Sequence, residues 1–67
     1  MRVNRITPWF REQLATASCE QLVEAAASLR VNRGMMFGMF YSGPAIPDRD
    51  ALLAETLARI ERLQQAT

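Results

Sequence analysis

From Gly34 to Pro47 the chain carries no charge, and the nine residues leading into that stretch from its flanking arginine read Arg33-Gly34-Met35-Met36-Phe37-Gly38-Met39-Phe40-Tyr41. Three of the four methionines and three of the five aromatic residues fall there, with two glycines four positions apart. The run is too short to span a bilayer. It is also more apolar than a small domain leaves in water without a partner, and methionine-rich surfaces repack readily around other chains.

Length sharpens that constraint. A 67-residue chain is one domain, close to the lower size at which a single core suffices. Small domains are often supplemented by disulfides, a metal or association. Cys19 is the only cysteine and histidine is absent, so neither an internal disulfide nor a structural zinc site can be built. Association is the remaining supplement, and the chain is expected to be a homo-oligomer. The unpaired thiol suits a reducing compartment. The opening residues Met1 to Pro8 lack the apolar core of a signal peptide, so the expected location is cytoplasmic.

Helical signals run through the rest of the chain. Thr7-Pro8 reads as an N-cap followed by proline at the first helical position. Ile6, Phe10 and Leu14 recur every four residues, predicting a short helix over about 8–16, with Trp9 off the stripe. Ser18-Cys19-Glu20-Gln21 is a capping box. Leu22, Ala26, Leu29, Arg33, Met36 and Phe40 continue in four-three alternation. Arg30 and Arg33 before Gly34 resemble a stop signal, but the apolar register persists beyond them. The spacing therefore predicts one long helix over about 19–41, bent at Gly34. Ser42-Gly43-Pro44-Ala45-Ile46-Pro47 breaks it. A last helix over about 48–65 follows, led by Asp48 and Asp50, with Leu53, Leu57, Ile60 and Gln64 in four-three spacing and Glu55 set to pair with Arg59.

The expected architecture is all-α: a short N-terminal helix plus a long antiparallel helical hairpin, in one domain over residues 1–67. Folding near residue 45 sets Gly38 by Leu53, Gly34 by Leu57 and Val31 by Ile60. On a helix, Gly34, Gly38 and Ser42 form a small-residue row suited to close packing, within the chain or between copies. The surrounding Met35, Met36, Phe37, Met39, Phe40 and Tyr41 exceed what one neighbouring helix covers. The candidate interface is thus Trp9, Gly34, Met35, Met36, Gly38, Met39, Phe40 and Tyr41.

Catalytic chemistry finds no footing. There is no histidine for proton transfer, no nucleophile motif and no glycine-rich phosphate loop with a lysine. Cys19 at a helix start reads as a packing residue, and no metal-ligand spacing or cofactor motif is visible. The expected function is a non-enzymatic protein-binding module, an adaptor or inhibitor that occludes a partner protein. The alternative is an arginine-based regulator. All eight basic residues are arginine, and Arg30 and Arg33, joined by Arg2 and Arg5, suit nucleic acid or an anionic nucleotide. The net charge of +1 gives no global pull toward either.

Overall fold

The computed structural model describes residues 4–66 as three helices and one β-hairpin: α1 (Ile6–Leu14), α2 (Cys19–Val31), β1 (Gly34–Met36), β2 (Met39–Tyr41) and α3 (Arg49–Gln65). The all-α expectation is therefore overturned, and with it the long helical hairpin of 19–41 and 48–65. The methionine-aromatic run is sheet rather than helix.

Asn4 opens α1. Its Oδ1 accepts from the backbone N–H groups of Ile6 at 3.1 Å and Thr7 at 3.3 Å, the donors that a helix start leaves unpaired. The cap expected from Thr7 is thus supplied three residues earlier, and Pro8 sits within the first turn, where it forfeits no helical bond. Thr7 is freed to turn inward, and its hydroxyl donates to Asp48 Oδ2 at 3.0 Å, tying the start of α1 to the start of α3. Phe10 and Leu14 on the expected stripe are buried.

The capping box at Ser18 is formed. Ser18 Oγ accepts from Gln21 N, and Gln21 Oε1 accepts from Ser18 N. The buried face of α2 comprises Leu22, Ala25, Ala26, Ser28 and Leu29. Its alanines offer little bulk to α3, which packs along it.

The end of α2 explains why no long helix forms. Asn32 adopts the left-handed conformation, with φ 55° and ψ 32°. Asn32 N donates to Leu29 O at 3.3 Å and Arg33 N to Ser28 O at 3.1 Å, the bond pair of a Schellman stop. The Asn32 side chain then accepts from Ile46 N at 3.1 Å. One residue ends α2 and receives the loop that enters α3. The apolar register running from Leu29 to Met36 suits a helix, but Met36 reaches the core from a strand.

Two residues, Phe37 and Gly38, join the strands, with φ 53° and 82° respectively. Positive φ at both central positions marks the primed turn whose twist matches a tight antiparallel hairpin. The register is Gly34↔Tyr41, Met35↔Phe40 and Met36↔Met39. Helix α3 returns antiparallel to α2, with the Arg49 guanidinium donating to Arg30 O at 3.4 Å. The expected Gly38–Leu53, Gly34–Leu57 and Val31–Ile60 register required one helix through residue 41; instead α2 ends at Val31 and the chain reverses through strands at Phe37-Gly38. Leu52 and Thr56 of α3 are fully buried, and Thr56 Oγ1 satisfies itself on Leu52 O at 2.7 Å.

Asn32→Ala is expected to destabilise the fold by about 2 kcal/mol, combining left-handed strain with a lost hydrogen bond. Asn32→Gly, which keeps the conformation and loses only the side-chain bond, should cost about 1 kcal/mol. Urea unfolding midpoints of the two variants give the comparison. Equal losses would assign the whole effect to the bond with Ile46.

Candidate interaction surface

The hairpin divides the expected interface into two faces. Residues directly opposite on paired strands share a face, so Gly34, Met36, Met39 and Tyr41 look one way and Met35 and Phe40 the other. Met36 is fully buried beneath the sheet, beside Phe10, Leu29 and Leu52 in one apolar cluster. Tyr41 is half-buried against that cluster, and its hydroxyl donates to Pro44 O. Met39, opposite Met36, stays 44 % exposed.

Phe37 anchors the hairpin tip. Its ring meets Phe10 edge-on at 4.9 Å and Trp9 at 5.8 Å between centroids. Edge-on aromatic pairs contribute about 0.5–1.5 kcal/mol beyond area burial. That offsets the strain of holding a bulky residue at positive φ. Trp9, expected at an intermolecular interface, is half-buried in this contact. Phe37 was legible only as one aromatic among several. Gly38 after it is the turn signal, weakened because asparagine or aspartate more often precedes such a glycine.

Gly34 and Gly38 serve the backbone rather than a helical row, since the helix that would align them with Ser42 does not form. Gly34 has φ 126°, and a Cβ there would lie 2.7 Å from Ser28 Oγ. The space is occupied because Ser28, itself buried, donates to Met35 O at 2.7 Å and fastens β1 to α2.

The outward face is apolar. Met35 is 39 % and Phe40 56 % exposed, side by side across the strands. Val31, just before the hairpin, is also exposed. The Arg33 guanidinium lies over the Phe40 ring at 5.9 Å, a cation–π contact. Arg30 is exposed, and its carbonyl receives Arg49. Arg5 lines a shallow cleft of about 450 Å³ formed with Tyr41 and the Pro44–Pro47 loop, and Arg2 lies outside the described residues.

Across the molecule, Glu55 pairs with Arg11 of α1 rather than with Arg59. The Arg11 Nη2–Glu55 Oε2 distance is 2.8 Å, and Arg11 Nε lies 3.0 Å from Oε1. Arg59 instead donates to Ala15 O at 3.2 Å, capping the end of α1. Its Nε is shielded from solvent without a hydrogen-bond partner. Among the described residues no helix is long and apolar enough to cross a membrane. Comparison with protein-family models, with curated proteins and with solved structures found no match.

The hydrogen bond from Arg11 holds the Glu55 carboxyl below its ordinary value of 4.5, against a smaller opposing effect of desolvation. A carboxylate whose folded pKa is depressed stabilises the fold above its unfolded pKa and loses that contribution as pH falls through the folded one. Thermal midpoints should therefore decline as pH drops below 4.5. Because the pair is solvent-exposed, its share should be small and screened by salt. Arg11→Gln should flatten that part of the pH profile, and an unaltered slope would remove the pair from the account.

Proposed function

We propose that this protein is a non-enzymatic protein-binding module, an adaptor or inhibitor that occludes a partner's surface and assembles as a homo-oligomer through its methionine-aromatic segment in the cytoplasm. The observation carrying this reading is the outward face of the hairpin. Met35 and Phe40 stand together in solvent while Phe10, Leu22, Leu29, Met36 and Leu52 are fully buried. Paired exposed apolar side chains on a rigid scaffold suit an interaction site, and an exposed aromatic suits its centre. The lone half-buried Cys19 supports a reducing compartment. The arginine-based alternative has less behind it. Arg33 is engaged over Phe40, and exposed Glu20 and Glu24 on α2 oppose approach of a polyanion along that helix.

The test is affinity capture from a lysate of the source cells with three baits. The wild-type chain should retain a defined partner protein, Met35→Ser with Phe40→Ser should lose it, and Arg30→Ala should keep it. Both variants alter exposed side chains, and their helical circular dichroism should match the wild type. Retention of the same partner by the Met35/Phe40 double variant would overturn the assignment of this face. Loss through Arg30→Ala would favour the arginine-based alternative.

A further inference from the structure

We infer that two copies of this chain join edge to edge through β2, antiparallel about a two-fold axis at Phe40, forming a four-stranded sheet. The inference rests on the proposed self-association through this segment and specifies how it occurs. In a hairpin closed by two residues, the pair flanking the turn exchanges both backbone hydrogen bonds, and bonded and non-bonded pairs alternate from there. Met36/Met39 and Gly34/Tyr41 are then the bonded pairs. Met35 and Phe40, between them, direct N–H and C=O away from each other's strand. The bond from Ser28 Oγ to Met35 O shows that outward direction on β1.

The two edges differ. Helix α2 packs along β1 and Ser28 takes its outward carbonyl, so that side is closed. On β2, the outward N–H and C=O of Phe40 have no hydrogen-bond partner among the described residues, and the residue is 56 % exposed. Open edges are ordinarily guarded by charge, proline or a bulge. β2 has none of these: its three residues are Met39, Phe40 and Tyr41, in unbroken register.

A second copy is the occupant this edge fits. One residue presenting one donor and one acceptor is self-complementary across a two-fold axis, since each Phe40 can give and receive one bond. The segment from Gly34 to Pro47 is uncharged, and the charge nearest Phe40, the Arg33 guanidinium, lies over its ring at 5.9 Å on the sheet face rather than on the backbone edge that a second copy would pair. Pairing also continues the outward apolar face from Met35 and Phe40 onto the same residues of the second copy. The two Phe40 rings then form a cross-strand pair. A two-stranded sheet is marginal by itself, and four strands extend it.

Sedimentation equilibrium of the full chain tests this, with a dimer expected for the wild type. Phe40→Leu keeps the outward N–H and an apolar side chain and should remain dimeric. Phe40→Pro removes an N–H that the hairpin ladder does not use, together with the ring whose loss Phe40→Leu controls for, and should weaken dimerisation about ten- to hundredfold relative to Phe40→Leu. A second measurement does not depend on the proline variant folding. In a Cys19→Ser background, Phe40→Cys should form a disulfide-linked dimer under mild oxidation. Met35→Cys should not, because it lies about 14 Å from its counterpart, three strand spacings away. A wild-type dimer that survives Phe40→Pro, or that crosslinks as readily through Met35→Cys, overturns edge pairing while leaving self-association standing. A monomeric wild-type chain overturns self-association and edge pairing together, and the capture experiment then decides separately whether the face binds a foreign protein.

Discussion

The left-handed turn at Asn32 is the constraint on which the arrangement depends. Its backbone closes the last carbonyls of α2, and its side chain accepts the Ile46 N–H at 3.1 Å. The first act releases the chain as a strand, and the second returns it to the end of the same helix fourteen residues later. The hairpin is thus a closed excursion, with both ends held at one residue. Arg49 reinforces the return by donating to Arg30 O at 3.4 Å, which sets α3 antiparallel to α2.

The excursion is held at its tip as well. Phe37 accepts an unfavourable backbone conformation, and its ring is fixed edge-on against Phe10 and Trp9. Backbone strain is offset by aromatic packing, and the twist of the turn orients the strands. With both base and tip anchored, Met36 enters the core, and alternation forces Met35 and Phe40 outward. The exposed apolar pair is therefore a consequence of burying Met36, because a strand cannot bury adjacent side chains on one side. The same geometry closes β1 with Ser28 and leaves β2 without a hydrogen-bonded neighbour on its outer edge among the described residues.

Local chemistry was legible wherever neighbouring residues determine the outcome. The Ser18–Gln21 capping box, the four-residue recurrence of Phe10 and Leu14, and the break at Gly43-Pro44 are set by residues within a few positions of one another. The fate of residues 32–41 was not legible in that way. Leu29, Arg33, Met36 and Phe40 keep helical spacing, while Met36 and Met39 about Phe37-Gly38 equally suit a hairpin, and short apolar runs satisfy both periods. Asparagine takes the left-handed stop less often than glycine, so the signal at Asn32 was overshadowed by Gly34. Charge pairing misled for a related reason. Glu55 and Arg59 sit at favourable spacing on one helix, but α1 places Arg11 within 2.8 Å of the carboxylate and Ala15 O within reach of Arg59.

By itself, then, the sequence determined that this chain has one thiol, no histidine, and a concentrated uncharged segment of methionine and aromatic rings that any fold must accommodate. It also determined that helices flank that segment and that Ser18 caps the second of them, whereas the expected stripe of the last helix is displaced: Leu52 and Thr56 are buried and Leu57 is exposed. Only the tertiary structure decided how the segment is divided: Met36 and Phe37 inward, Met35 and Phe40 outward, one strand edge sealed and the other open. The reason is physical. Helix and strand were both locally acceptable here, and the choice fell to distant partners, namely Ile46 at Asn32, Phe10 and Trp9 at Phe37, and Ser28 at Met35, which only the folded chain brings together.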